Sequence, residues 1–322
     1  MKTEIIVPNN IKKRGFNYSL NRLMKEWDIQ ILIIPSLILI IIFSYLPMWG
    51  ILSSFQDFDV SKGFFNSPWV GAKYFNMFFH SGDFALVMKN TLFLSLLKLA
   101  FGFPAPIILA LMLNEIRCMW FKRTVQTITY LPHFISWVIV GAFITSMLSV
   151  DSGTINIVLM KLHLVSEPVN WLSKPDLLWP ILILANIWKE IGFSAIIYLA
   201  AIAGVDQQLY EAASIDGATR LQQTIAITLP TIVPVIIILL ILSVSNILNA
   251  GFEDIYQLTN NLNNSILMSK ADTIDIYSFR QGLRGFMYSY GMAVSLFKSV
   301  INAVILLVAN WLARRLSGNS LF

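Results

Sequence analysis

The chain has 322 residues, of which 56% are hydrophobic and 13% are charged, and its formal net charge is +5. A soluble domain keeps roughly a quarter of its residues charged. The low charge content, with a mean hydropathy of +0.68, therefore excludes a soluble globular protein and predicts a membrane protein. The single cysteine, Cys118, excludes an internal disulfide and a cysteine-rich metal cage.

Six segments are long and apolar enough to cross a hydrocarbon core, which needs about 20 apolar residues. The predicted fold is an all-α membrane protein with six transmembrane helices. The first apolar run begins near Ile29 and is too long for the core of a cleavable signal, so we expect the chain to be inserted intact. The predicted parts are an N-terminal segment 1–28, a membrane domain 29–312 with spans 29–52, 90–113, 125–149, 177–203, 230–252 and 291–312, and a tail 313–322.

The positive charges are unevenly divided between the two sides of the predicted membrane domain. Twelve Lys and Arg residues lie in the N-terminal segment, the loops 114–124 and 204–229, and the tail. The three loops on the other side hold seven besides Lys89, which borders the second predicted span, together with ten acidic residues. Because short loops rich in Lys and Arg stay in the cytoplasm, we expect both termini to be cytoplasmic.

The loop 204–229, between predicted spans four and five, has the pattern of two short helices. Asp206 can cap the first helix, and Gly217 can supply the left-handed residue that ends it. Asp216 can cap the second helix, which we expect to stop near Pro230. Small alanines rimmed by charge suit insertion into a groove of another protein, so the loop is predicted to be a rigid lever for a cytoplasmic partner.

This loop resembles the signature of permease subunits of binding-protein-dependent ABC importers, in which E-A-A-x-x-D-G-A is followed at a fixed distance by L-P. Here the match runs from Glu211 to Pro230. In that family the loop is the coupling helix, which sits in a cleft of the ATPase subunit. The resemblance implies this ATPase-coupling role for Glu211, Ala212, Ala213, Asp216, Gly217 and Arg220.

Further stretches resemble the polysaccharide-permease branch of the family, which includes permeases of aldouronate, polygalacturonate and alginate fragments. Two positions depart from the usual pattern: Gln207 replaces a proline, and Thr224 replaces a bulky aromatic residue. The branch implies import of an oligosaccharide. The stretches that carry this resemblance are 67–71, 90–91, 130–137, 188–190 and 197–201.

The family resemblance also implies an assembly in the bacterial cytoplasmic (inner) membrane. Its expected partners are a second, different permease chain, two ATP-binding subunits and an extracytoplasmic solute-binding protein, with lipid around the spans and no nucleic acid. The chain lacks G-x-x-x-x-G-K-[ST], the loop that cradles phosphates. We therefore expect no catalytic residue, metal or cofactor in this chain, with ATP and magnesium bound by the partner subunits.

Polar residues inside predicted spans are costly and usually face a cavity or one another. Sugar recognition needs hydrogen-bonding amides and carboxylates together with aromatic rings. Four lysines within or beside the spans, against one acid, Glu190, suggest an acidic cargo that contains uronic acids; these are Lys89, Lys98, Lys189 and Lys298. The predicted substrate path comprises Asn186, Trp188, Glu190, Ser194, Tyr198, Asn246, Asn249, Lys298 and Asn302.

Three alternatives belong to other classes. A secondary sugar transporter would need no ATPase, but it gives no reason for the loop 204–229, and no inverted repeat is evident. A membrane enzyme would need a reactive cluster, whereas His80, His133 and His163 lie far apart without metal-ligand spacing. We expect His133 to be a packed, hydrogen-bonded residue and Glu190 to pair with Lys189. A receptor would show no link between this loop and transport.

Overall fold

The computed structural model describes residues 27–317, and side-chain surroundings within 31–315. The predicted N-terminal segment, apart from its last residues, and the end of the tail lie outside this part. Within it the chain is helical, with one isolated bridge between Gln56 and Trp69, so the prediction of an all-α fold is confirmed. Residues up to Ser53 form one compact unit and residues from Ser54 form a second. The loop 204–229 and the predicted substrate path belong to the second unit.

The α-helices are labelled in chain order. Segments of 3-10 helix occupy Leu46–Phe55, Leu131–Phe134, Trp171–Ser173 and Ser265–Leu267, and wide π-helical turns occupy Ile41–Tyr45, Thr224–Thr228 and Arg280–Arg284. The α-helices are α1 Trp27–Ile40, α2 Gly63–Asn66, α3 Lys73–Phe79, α4 Phe84–Gly102, α5 Pro104–Glu115, α6 Met119–Tyr130, α7 Trp137–Met147, α8 Thr154–Lys161, α9 Pro175–Ala203, α10 Gln207–Ile215, α11 Arg220–Gln223, α12 Leu229–Ser245, α13 Glu253–Leu258, α14 Met268–Ala271, α15 Ile274–Phe279 and α16 Tyr288–Ser317.

Five continuous helical stretches in this part of the chain are long and apolar enough to cross a membrane, and a bent pair brings the number to six if it forms one span. Each overlaps one of the segments predicted from the sequence. We number them as spans one to six: Ile31–Phe55, Phe84–Glu115, the pair Met119–Phe134 and Trp137–Met147, Pro175–Ala203, Arg220–Ser245, and Tyr288–Arg315.

Span three is broken, whereas the sequence predicted one run over 125–149. The helix axis bends by 104° between its two halves. The 3-10 turn that contains Pro132 ends the first half, and Ile135 and Ser136 are extended before the second half begins. A break leaves backbone carbonyls without helical partners, and the Lys189 ammonium supplies one by donating to the His133 carbonyl at 2.6 Å. The break is thus stabilised from span four.

Span five begins at Arg220, so the prediction that the second loop helix stops near Pro230 was wrong. The wide turn Thr224–Thr228 joins α11 to α12 without a break, and the Leu229 N–H donates to the Thr224 carbonyl. A proline ring clashes with the carbonyl four residues before it in a regular helix. The wide turn gives Pro230 room, so the helix continues instead of ending.

Spans two, four, five and six pack through three buried clusters. One joins Leu94 of span two to Leu182 of span four and Ile255 of α13. A second surrounds Ala110 and Tyr198, and a third surrounds Tyr290 of span six. Span four contributes to two of these clusters, those around Leu182 and Tyr198.

Candidate coupling segment and substrate cavity

The loop 204–229 contains the short helix α10 and the start of span five. The Asp206 carboxylate accepts a hydrogen bond from the Gln208 N–H at 3.0 Å, and Gly217 has φ +79°, so both predicted roles are confirmed. A side chain at position 217 would not clash with its surroundings, because no atom lies within 4 Å of a Cβ built on Gly217. The requirement is the left-handed backbone, which other residues adopt only at a cost.

The predicted N-cap of the second helix was wrong. Thr219, not Asp216, caps α11, and it does so through a capping box with Gln222. Asp216 instead ends α10, where its N–H donates to the Ala212 carbonyl. The left-handed Gly217 separates the two helices, so the cap must come from a residue further along the chain.

Most residues of the predicted coupling set face solvent. Glu211, Ala212, Asp216, Gly217 and Arg220 are exposed, and Ala213 is half-buried. Two large apolar side chains beside them are also exposed, Ile215 at 87% and Leu221 at 70%. An exposed apolar patch with a charged rim is typical of a surface that another protein covers.

Three contacts that the sequence did not reveal hold this segment in place. Arg220 pairs with Glu115 at the end of span two, with 3.1 Å between guanidinium and carboxylate, and Thr224 donates to the same carboxylate at 3.2 Å. The hydroxyls of Tyr210 and Thr228 lie 2.7 Å apart. These contacts fix α10 to the start of span five, and the start of span five to the end of span two.

A cavity of about 520 Å³ lies between spans two, four and five and the segment that follows span five. Its volume is within the range of about 300–1,000 Å³ typical of small-molecule sites. Six of the nine predicted path residues line it: Asn186, Glu190, Ser194, Tyr198, Asn246 and Asn249. The amide of Asn249 donates to the side-chain carbonyl of Asn246 at 3.0 Å, which makes a continuous polar edge.

The other three predicted path residues are not among the lining residues. The Trp188 ring stacks with Phe143 and is 45% exposed. Lys298 forms an ion pair with Asp275, and the Asn302 side chain accepts a hydrogen bond from the Leu248 N–H at 3.3 Å. Lys298 and Asn302 thus tie span six to neighbouring backbone and side chains.

The inference of a net positive interior was wrong, because its lysines are neutralised or exposed. Lys98 pairs with Asp254 at 2.5 Å, Lys298 pairs with Asp275, and Lys89 is exposed. Asp254 and Asp275 belong to a predicted outside loop that packs back against the spans. The cavity wall carries one lysine and three carboxylates: Lys98, Glu190, Glu253 and Asp254.

Glu190 connects the cavity to the break in span three. One oxygen of its carboxylate lies 2.7 Å from Nδ1 of His133, and the other lies 3.4 Å from the Lys189 ammonium. The His133 ring stacks on Phe193 with ring centroids 3.8 Å apart. The expected ion pair and the packed, hydrogen-bonded histidine are therefore both confirmed. Within the described part of the chain, no three His, Cys, Asp or Glu side chains are grouped to hold a metal ion.

Comparison with known proteins agrees with this architecture. The family model described as "Binding-protein-dependent transport system inner membrane component" matches residues 102–318, more than half of the chain. The chain belongs to this family of membrane permeases.

Two relatives from Bacillus subtilis (strain 168) match almost the whole chain. Protein LplB is 45% identical over 297 residues, which are 92% of this chain and 91% of that protein. The polygalacturonan/rhamnogalacturonan transport system permease protein YteP is 42% identical over 311 residues, 97% and 95% of the two chains.

A solved structure of similar sequence also matches. It is a subunit of a bacterial ABC transporter involved in the import of the acidic polysaccharide alginate, with a TM-score of 0.83 and 41% identity over 92% of this chain and 99% of that chain. A second structure, of the alginate transporter with an alginate pentasaccharide-bound periplasmic protein, matches with the same TM-score and 40% identity, over 94% and 99%.

Proposed function

We propose that this chain is a transmembrane subunit of an ATP-driven importer that receives an acidic oligosaccharide from an extracytoplasmic binding protein and releases it into the cytoplasm. The proposed assembly contains a second, different permease chain and two ATP-binding subunits, in the bacterial cytoplasmic membrane with both termini in the cytoplasm. The segments 1–28 and 313–322 would lie on that side. The acidic cargo is supported by YteP and the alginate transporter, not by unpaired lysines in this chain.

One observation carries the mechanism: span five links the proposed coupling segment to the cavity. It begins at Arg220, which is held to Glu115, and runs as one helical stretch to Ser245. Ser243, near its far end, lines the cavity. A displacement of α10 by an ATPase subunit would therefore move a wall of the cavity, as alternating access between two packings requires.

The test is ATP hydrolysis and uptake by the complete complex reconstituted in proteoliposomes with its binding protein. The binding protein is loaded either with alginate pentasaccharide or with a neutral pentasaccharide. We expect the loaded protein to stimulate hydrolysis and ATP-dependent uptake with the uronate sugar only. Preferential stimulation by the neutral sugar would contradict the proposal of an acidic cargo but would still support the proposal that the chain is an importer permease.

A secondary sugar transporter remains the alternative mechanism to be tested by the same experiment. It predicts uptake that continues without ATP and responds to an ion gradient. Uptake abolished by ATP depletion inside the vesicles, with the ion gradient maintained, would exclude it. The contact between Arg220 and Glu115 favours the ATP-driven mechanism, because it gives the loop a structural connection to two spans.

A further inference from the structure

Three aromatic rings form a platform at the end of the cavity that lies away from α10. Phe252 and Tyr256 stack with centroids 5.4 Å apart, and Phe279 packs against both at 5.1 and 5.7 Å. All three side chains are half-buried, so part of each ring faces solvent. Because Phe252 also lines the cavity, the platform is continuous with the cavity wall.

The local sequence fixes Phe252 in this position. Gly251 has φ +101°, and a Cβ built on it would lie 2.4 Å from Oδ1 of Asp254 and 2.6 Å from the Lys98 ammonium. Lys98 donates to the Ala250 carbonyl at 2.6 Å and pairs with Asp254, so the chain is held on both sides of the glycine. Phe252 and Tyr256 are four residues apart around the first turn of α13, which places them on one face.

An arginine completes the platform. The Arg284 guanidinium lies 5.8 Å from the ring centroids of both Tyr256 and Phe279, and it donates to the Asn261 carbonyl at 2.6 Å. Arg284 is exposed, and within residues 27–317 no carboxylate lies within salt-bridge distance of it. By contrast, nearby Arg280 pairs with Asp272 at 2.5 Å. Arg284 therefore presents a positioned positive charge whose other N–H groups are available to a ligand.

A uronate ring has the two features that this arrangement complements. The apolar C–H face of a pyranose packs on an aromatic ring, and a guanidinium fork binds a carboxylate through two charge-assisted hydrogen bonds. We infer that Phe252, Tyr256, Phe279 and Arg284 form a binding subsite for one uronate unit of the cargo at this end of the cavity. This inference rests on the proposed import of an acidic oligosaccharide.

The subsite differs in chemistry from the cavity beside it. The cavity wall offers amides, hydroxyls and carboxylates, which suit neutral hydroxyl groups, and the lysine in that wall, Lys98, already pairs with Asp254. The platform offers apolar faces and one cation. A packing role explains the three rings, and the Asn261 carbonyl and the Tyr256 hydroxyl hold one nitrogen of Arg284. The other N–H groups of this exposed guanidinium have no partner among the described residues, and packing does not account for them.

The experiment labels the reconstituted complex with alginate pentasaccharide that carries a diazirine, delivered by the binding protein, and maps the labelled peptides by mass spectrometry. We expect label on peptides that contain residues 252–284 in the wild type. Loss of a bidentate charged contact should lower that label about tenfold in Arg284→Gln, and replacing an aromatic face should lower it in Phe279→Leu. Lys161→Gln is the matched control, because it removes an exposed positive charge elsewhere in the chain.

The outcomes separate the two proposals. If the loaded binding protein stimulates wild-type ATP hydrolysis but label appears only on peptides of spans two, four and five, or stays unchanged in both variants, the subsite is overturned while the importer stands. If the uronate sugar neither stimulates hydrolysis nor labels the complex, the proposed function itself fails. Equal losses of label in Arg284→Gln and Lys161→Gln would show a general charge effect and would also overturn the subsite. Basal ATP hydrolysis and melting temperature confirm that each variant is folded.

Discussion

Gly192 of span four lies directly against Thr129 of span three: a Cβ built on the glycine would be 2.0 Å from the Thr129 carbonyl oxygen and 2.3 Å from its carbonyl carbon. The backbone of Thr129 cannot move aside for an added Cβ as the end of a flexible side chain could. This contact places α6 beside span four, just before the break at Ile135 and Ser136. Gly192 lies two residues from Glu190, which lines the cavity, so the position of the cavity wall depends on the contact between Gly192 and Thr129.

Gly192→Ala should therefore destabilise the protein by about 1–3 kcal/mol, the usual cost of forcing extra volume into a packed interior. The melting temperature of the purified protein in detergent measures the effect. Gly204→Ala is the control, because its nearest atom would be the Ala201 carbonyl oxygen at 3.4 Å, an ordinary contact. An equal fall in both variants would contradict the close approach.

Gly217→Val should abolish uptake while the amount of inserted protein stays unchanged. The left-handed backbone costs a residue with a side chain about 1–2 kcal/mol, most for a β-branched one, and the angle between α10 and α11 would change. Asparagine tolerates this backbone better, so Gly217→Asn should keep part of the uptake. Uptake at the wild-type rate in Gly217→Val would show that the loop geometry is not used in coupling.

Lys98→Met should lower the free energy of unfolding by about 3–5 kcal/mol, since it leaves the buried Asp254 carboxylate without its counter-charge. Adding Asp254→Asn should recover much of this loss. Lys89→Met removes an exposed lysine from the same span and serves as the control, with no change expected. Thermal unfolding followed by tryptophan fluorescence gives the comparison, and a loss unaffected by the second change would argue against the ion pair.

The stability of an Arg280→Gln variant should depend on pH. Burial raises the pKa of the Asp272 carboxyl, nearby Asp83 adds to the rise, and Arg280 opposes it. Without the arginine this pKa rises further. A raised pKa means that the folded state binds the proton more tightly, so stability falls as pH increases from the unfolded value of about 3.9 through the folded pKa.

Melting temperatures at pH 5 and pH 8 test this expectation. The melting temperature of Arg280→Gln should fall further below that of the wild type at pH 8, where the buried Asp272 carboxylate is charged. Combining Arg280→Gln with Asp272→Asn removes the titrating group, so the difference between the two pH values should disappear. A deficit that is the same at both pH values would show that Asp272 does not cause it.

Hydropathy located every span because lipid-facing side chains must be apolar along the whole helix. It did not locate the break in span three, where the turn that contains Pro132 ends the first half and the Lys189 ammonium, from another span, donates to the His133 carbonyl. The error over interior charge has the same origin. Asp254 and Asp275 lie outside the apolar runs, so their pairing with Lys98 and Lys298 appears only when the chain after span five packs back against the spans.

Local rules gave mixed results in the loop: they failed for Asp216, since Thr219 caps α11, and for Pro230, which does not end the helix. Asp206 and Gly217 shape the loop as the sequence predicted, since a cap and a left-handed residue act within one turn. Six of nine path residues line the cavity, because polar residues on spans four and five share faces that avoid lipid. Phe252 and Tyr256 are four residues apart at the start of α13, but Phe279 comes from α15, and no spacing in the sequence links it to them.

The wide turn Thr224–Thr228 has a consequence for the direction of α10. Each residue added to a helix rotates one end relative to the other by about 100°. The extra residue of this turn therefore sets the direction, around the axis of span five, in which α10 points. Pro230 prevents the turn from tightening into a regular α-helix. The wide turn in span five thus determines the angle at which a partner must approach α10. This turn lies several residues away from the surface that the partner would contact.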